Sequence, residues 1–200
     1  MSFASRVVWI TGASSGIGEA LSRALLADGA AVILSGRRVE ALQQLAALAP
    51  ERTLVLPFET TDYERLPELV EQAWAWQGRI DLLINNAGLS QRSLCKDTDL
   101  SVYQKLLDVD VMGQIALTKA VLPHMLERQS GHLAVTASVA GKVGVPLRTG
   151  YCAAKHAVMG FFDALRAEGE DDGILVSTIT PGFIRTDISL NALAADGSAF

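Results

Sequence analysis

Six short apolar runs constrain this 200-residue chain more than any other feature: Arg6–Thr11, Ala31–Ser35, Thr53–Phe58, Asp81–Asn85, His132–Thr136 and Leu175–Ile179. Each is rich in Val, Ile and Leu, the pattern of a strand covered on both faces. Between them, amphipathic stretches predict helices over Gly16–Asp28, Val39–Leu48, Tyr63–Trp76, Leu100–Arg128 and Tyr151–Gly169. The fourth is the longest, and Pro123 is expected to kink it near its end. This alternation reads as an α/β fold, a three-layer doubly wound parallel sheet with right-handed crossovers. No linker, repeat or low-complexity tract divides the chain, so residues 1–200 are expected to form a single domain. Ligands of such sheets bind at the carboxyl ends of the strands, near the point where strand order reverses.

The first strand runs into Thr11-Gly12-Ala13-Ser14-Ser15-Gly16-Ile17-Gly18. Gly12-Ala13-Ser14-Ser15-Gly16 fits G-x-S-x-G, the turn that exposes a serine nucleophile in many hydrolases. It equally fits a glycine-rich cradle for a dinucleotide pyrophosphate. In that reading Gly12 gives the tight exit from the strand. Gly16 and Gly18 remove side chains where backbone meets phosphate and helix meets sheet. Ser14 and Ser15 offer hydroxyl donors.

The second strand separates the two readings. It ends in Ser35-Gly36-Arg37-Arg38, about 20 residues beyond the glycines, where a dinucleotide fold distinguishes a ribose 2′-hydroxyl from a 2′-phosphate. An acid there accepts from the hydroxyl and repels the phosphate. Here Gly36 stands in its place and the Arg37-Arg38 pair follows, which favours NADP(H) over NAD.

Farther along, Tyr151 and Lys155 lie four residues apart on one predicted helix and share a face. Hydride transfer to a carbonyl carbon leaves an alkoxide that needs a proton. A tyrosine hydroxyl can supply it, and a neighbouring ammonium stabilises the tyrosinate that remains. Ser138, at the end of the fifth strand, can bind the substrate oxygen and stabilise its developing charge. Ser138 and Tyr151 are therefore the expected substrate contacts.

In order along the chain, "TGASSGIG", "INNAG", "TAS", "YCAAK" and "ITPGFIRT" resemble the motifs of the short-chain dehydrogenase/reductase family, and the likeness covers essentially all 200 residues. The resemblance implies a Rossmann-type sheet, a nicotinamide cofactor, and oxidation or reduction at a carbonyl/alcohol carbon. It adds Ile17, Asn86, Ala87, Gly88, Pro181, Gly182, Ile184 and Thr186 to the cofactor-binding set, beside Tyr151 and Lys155. Pro181-Gly182 matches the loop that runs along the nicotinamide, and Thr186 the residue that reaches its carboxamide. Asn85 resembles an asparagine that braces the sheet, and both structural support and cofactor contact stay open as its role.

Three departures accompany the likeness. Asp110 stands where the family commonly has an asparagine whose main-chain carbonyl takes part in a proton relay to the lysine. The carbonyl is kept, and the added charge is expected to alter the pH profile. Glu59 replaces an aspartate that contacts adenine. The sequence stops at Phe200, so the family's last edge strand is expected to be missing, and residues 183–200 read as the start of a substrate-covering segment.

Composition narrows the remaining choices. The formal net charge is -5, with no basic patch for nucleic acid. Cys95 and Cys152 lack metal-ligand spacing, as do His124, His132 and His156, so no metal is expected. No signal peptide or apolar span is evident, and a cytoplasmic protein is expected. The expected substrate wall comprises Ser90, Gln91 and Arg92, then Gly141 to Pro146, then Phe183 onward. Its apolar character, and a likeness to the steroid- and retinoid-type branch, favour a hydrophobic small-molecule ketone or alcohol; because cells keep NADP(H) reduced, carbonyl reduction is the expected working direction. The predicted helices over Leu100–Arg128 and Tyr151–Gly169 are apolar enough for a homodimer or homotetramer, although packing on their own sheet explains the same residues. Two rival readings stay open: an inactive NADP(H)-binding sensor or scaffold, and a serine hydrolase using Ser14.

Overall fold

The computed structural model describes residues 2–200. Its six strands are β1 (Val7–Thr11), β2 (Ala31–Ser35), β3 (Thr53–Val55), β4 (Leu82–Asn85), β5 (Gly131–Thr136) and β6 (Ile174–Ile179). They form one parallel sheet in the order β3-β2-β1-β4-β5-β6. The helices are α1 (Gly16–Ala27), α2 (Val39–Ala46), α3 (Leu66–Gln77), α4 (Leu100–Leu107), α5 (Gly113–Glu127) and α6 (Thr149–Glu168). Strand order reverses between β1 and β4, so the carboxyl ends of these two strands flank the switch point.

Successive side chains on a strand point to opposite faces, and the two halves of the core follow that parity. Trp9, Ile33, Leu83 and Leu133 pack on one side with Leu69 of α3, Val121 of α5 and Phe162 of α6. Ile10, Leu34 and Ile84 pack on the other with Leu25 of α1 and Leu42 of α2. Each fully buried aliphatic side chain of this kind contributes about 1.5–3 kcal/mol. A polar thread runs between the strands: Trp9 Nε1 donates to Ser35 Oγ (2.8 Å), which donates to the Leu56 carbonyl (2.7 Å).

Two elements differ most from the sequence expectations, the others by a shift of a few residues at an end. The third strand ends at Val55 rather than Phe58, and Pro57, which has no N–H for a ladder, follows closely. The long predicted helix over Leu100–Arg128 is two helices, α4 and α5, joined by a π-helical turn, Asp108–Met112. Pro123 stands inside α5 without ending it.

Gly18 is fixed by packing. A Cβ there would lie 2.2 Å from the Gly12 carbonyl oxygen and 2.6 Å from Asn86 Nδ2. Gly18→Ala is expected to lower stability by about 1–3 kcal/mol, the usual cost of overpacking, measured by urea unfolding; an unchanged midpoint would refute the close approach. A second expectation concerns His132, whose imidazole shares a 2.8 Å hydrogen bond with Ser177 Oγ across β5 and β6. Burial pushes it below its ordinary value. The unfolded chain then takes up the proton first. The stability owed to the neutral ring is full above about pH 6.5 and declines as pH falls toward the folded value. Unfolding free energies measured from about pH 7.5 down to about 5 should fall less steeply in His132→Gln than in wild type.

Candidate active site

A cleft of about 510 Å³ opens at the carboxyl edge of the sheet. One end is the glycine turn. Gly12 and Gly16 adopt φ of 65° and 55°, the left-handed region that glycine enters without strain. A Cβ on Gly12 would come within 2.9 Å of Ala87 Cα, and one on Gly16 within 3.1 Å of Thr186 Cγ2. Ser15 precedes α1 without a side-chain cap, so the first-turn N–H groups and the positive end of the helix dipole face the turn. Gly12, Ser14, Ser15, Gly16 and Ile17 all line the cleft. Gly18, expected among them, does not; its place is the contact between turn and helix.

Arg37 and Arg38 line the same end, with different partners. Arg38 Nη2 donates to the Ser14 carbonyl at 2.9 Å, tying the β2 exit to the turn. Arg37 Nε stands 3.8 Å from Glu59 Oε2, both side chains being exposed. Such a surface pair is worth under about 1 kcal/mol and is easily exchanged for another partner.

The middle of the cleft is a polar brace between strand ends. Thr11 Oγ1 accepts from the main-chain N–H groups of Asn86 and Ala87, each at 3.0 Å. Asn86 Nδ2 returns a bond to the Thr11 carbonyl at 3.1 Å, and Thr136 Oγ1 donates to Asn86 Oδ1 at 3.1 Å. β1, β4 and β5 are thus locked together where Asn86, Ala87 and Gly88 line the wall. Asn85 is fully buried and donates to Thr118 Oγ1 (3.0 Å), bracing β4 against α5.

The other end holds Ser138, Tyr151 and Lys155 together on the wall. Ser138 Oγ accepts from Ala140 N at 3.1 Å, which leaves its O–H free to donate outward. Tyr151 and Lys155 sit in the first two turns of α6, with Lys155 Nζ 5.6 Å from the Tyr151 ring centroid. Lys155 is buried. Its ammonium donates to the Thr136 carbonyl at 3.2 Å and pairs with Asp110 Oδ2 at 3.3 Å. Asp110 lies behind the lysine, outside the cleft lining, in the π-helical turn. Its Oδ1 accepts from Leu89 N at 2.6 Å, and Oδ2 makes no hydrogen bond. Burial pushes the Asp110 carboxyl above its ordinary range, against the pull of Lys155 and of the Leu89 amide. The side chain expected to matter chiefly through its backbone therefore presents its carboxylate directly to the lysine.

Pro181, Gly182, Ile184 and Thr186 cover the cleft from beyond β6. The expected substrate wall is only partly present. Ser90 lines the cleft and Phe183 is fully exposed, while Gly141 to Pro146 are absent from the lining. Gln91 is buried instead, and its Oε1 accepts from Gly150 N at 3.1 Å at the start of α6. Arg92 lies over the Phe200 ring. Asp187, Ile188 and Asn191 line the cleft from within the expected 183–200 segment, whereas Thr11, Thr60, Lys105 and Val109 line it without having been expected there. No histidine is among the lining residues, so Ser14 has no imidazole base beside it. Among the described residues there is no cluster of metal ligands and no helix long and apolar enough to cross a membrane.

The chain is similar to known proteins over most of its length. The family model for short chain dehydrogenases matches residues 6–196. The human protein named dehydrogenase/reductase SDR family member 7 is 46% identical over 95% of this chain, and the rat family member 7B is 40% identical over 97%. The chain spans 58% and 62% of the lengths of these two relatives. Among solved structures, a short-chain dehydrogenase from Streptomyces avermitilis superposes with a TM-score of 0.90 at 34% identity, covering 98% of this chain and 72% of that one. A Burkholderia phymatum short chain dehydrogenase/reductase in complex with NAD gives 0.89 at 26% identity, covering 94% of this chain and 69% of that one. ElxO with NADP bound gives 0.87 at 28% identity, covering 92% and 75%. This chain belongs to the short-chain dehydrogenase/reductase family.

Proposed function

We propose that the chain carries the cofactor-binding and catalytic centre of an NADP(H)-dependent oxidoreductase that reduces a carbonyl group on an apolar small molecule. The carrying observation is that Ser138, Tyr151 and Lys155 share one cleft with the glycine turn and the arginine pair. The residues fit a dinucleotide. Side chains at Gly12 and Gly16 would fill the turn, α1 offers uncapped N–H groups, and the volume suits a small-molecule cofactor site. Gly12, Ser14, Ser15, Gly16 and Ile17 would hold the pyrophosphate, and Arg37 and Arg38 the 2′-phosphate. Glu59 would face the adenine. Asn86, Ala87, Gly88, Pro181, Gly182, Ile184 and Thr186 would line the path to the nicotinamide end. When bound, the cofactor supplies the hydride.

The chain's own residues do the rest. The Ser138 hydroxyl, whose oxygen accepts from Ala140 N and whose proton is uncommitted, donates to the substrate oxygen. Tyr151 gives its proton to the same oxygen as negative charge develops there. Lys155 stabilises the tyrosinate and is held in place by the Thr136 carbonyl and Asp110. Residues 183–200 would form the start of the substrate cover, where Ile184 and Ile188 add apolar wall.

Two outcomes test this. In parallel titrations followed by nicotinamide fluorescence, NADPH should bind more tightly than NADH. Arg37→Asp should weaken NADPH at least about tenfold, as expected for loss of a charge-assisted bond, with NADH little changed; equal loss for both would place the arginine outside phosphate selection. In a ketone screen followed by NADPH absorbance, Tyr151→Phe should lower kcat about a hundredfold or more while NADPH affinity is retained. Undiminished turnover in that variant would remove Tyr151 as the proton donor.

A further inference from the structure

Arg148, which immediately precedes α6, has no part in the reading above. Its Nη1 donates to the Ser90 hydroxyl. Its guanidinium carbon lies 5.9 Å from the Tyr151 ring centroid, beside the 5.6 Å approach of Lys155 Nζ. Both distances are within the range at which a cation is attracted to an aromatic face. The two cations differ in one respect. Lys155 is offset by Asp110, whereas Arg148 forms no ion pair among the described residues.

We propose that Arg148 is a positioning residue for the reduction: anchored by Ser90, its guanidinium fixes the Tyr151 ring and stabilises the tyrosinate. This rests on Tyr151 being the proton donor. In that step the phenol O–H breaks, the proton joins the substrate oxygen, and the negative charge stays on the tyrosine oxygen while the hydride reduces the carbonyl carbon.

The backbone is built to hold Arg148 in place. Leu147 adopts φ 66°, a left-handed conformation that costs a β-carbon-bearing residue free energy and persists only where neighbours impose it. Those neighbours come from the segment after β4. Ser93 N donates to the Leu147 carbonyl at 3.0 Å, and Gln91 Oε1 accepts from Gly150 N at 3.1 Å. The segment thus grips the chain on both sides of Arg148 while Ser90 takes its side chain. The cations at the Tyr151 ring are Lys155 on its own helix and Arg148; Asp110 from the π-helical turn pairs with Lys155, and Tyr103 of α4 shares a 2.9 Å hydrogen bond with Thr149, two residues before Tyr151. Lys105 and Asp187 also line the cleft. The groups of the segment after β4 that bond to residues 147–150 (Ser90, Gln91 and Ser93) are neutral.

The chain has three tyrosines, so the difference between wild type and Tyr151→Phe isolates the tyrosinate absorbance of Tyr151 during alkaline titration. In Arg148→Met, paired with its own Tyr151→Phe control, that signal should appear at higher pH than in wild type. Arg148→Lys should bring it back most of the way. A signal that does not move in Arg148→Met, or that moves equally in the Lys and Met variants, overturns the proposal. If circular dichroism shows Arg148→Met to be unfolded, Ser90→Ala, which frees the guanidinium, replaces it. Displacement in the same direction is then expected, and an unmoved signal overturns the proposal. The titration needs neither substrate nor cofactor, so its failure is separable from retained turnover in Tyr151→Phe, which would instead remove Tyr151 from the chemistry.

Discussion

The Thr11–Asn86 brace holds the rest of the site in register. Parallel strands joined by crossovers are pinned along their ladders, but the segments that leave their carboxyl ends have no ladder to hold them. Here Thr11 Oγ1 accepts two main-chain N–H groups from the β4 exit, while the Asn86 side chain reaches back to β1 and receives Thr136 from β5. Each bond is worth about 1 kcal/mol net, and leaving one of these half-buried groups unpaired costs more than the bond gained. The brace sets the spacing between the glycine turn on β1, the small-residue wall on β4 and Ser138 beyond β5. The close approach of Gly12 to Ala87 follows from it.

A second layer of support lies behind the lysine. The π-helical turn widens the helical path between α4 and α5 by one residue, an arrangement often found at functional sites. It carries Asp110 toward Lys155 and toward the Leu89 amide, so the β4 exit and α6 are joined through a buried charge pair. Breaking such a pair on one side leaves an uncompensated charge, typically at a cost of about 3–5 kcal/mol. The pair therefore constrains where the lysine ammonium can go. Gly88 reflects the same crowding, since a Cβ there would sit 3.3 Å from the Asp110 carboxylate and 3.4 Å from Lys155 Nζ.

Most of the fold was legible because a buried parallel strand and an amphipathic helix leave periodic apolar signatures. Runs such as Val7–Ile10 and Ala31–Leu34 have no other stable use. That the glycine turn, Ser138, Tyr151 and Lys155 meet in one cleft was legible for a related reason: each stands at a strand end or on the helix that follows. The break at Asp108–Met112 was not, because a π-helical turn inserts one residue without any glycine or proline to mark it. Gln91 was misplaced in the substrate wall for a different reason. Its burial serves the N-terminus of α6, far away in sequence, and a capping amide leaves no local pattern. Arg148 was passed over on the same grounds, since its partners Ser90 and Tyr151 meet only in three dimensions.

The central claim is that one cleft joins a phosphate-holding end to a proton-donating end. A crystal structure of the protein with NADPH tests it most directly. The pyrophosphate is expected against Gly12–Gly16, the 2′-phosphate beside Arg37 and Arg38, and the nicotinamide at the wall formed by Ser138, Tyr151 and Lys155. A nicotinamide seated away from Tyr151, or phosphates away from the glycine turn, would contradict it.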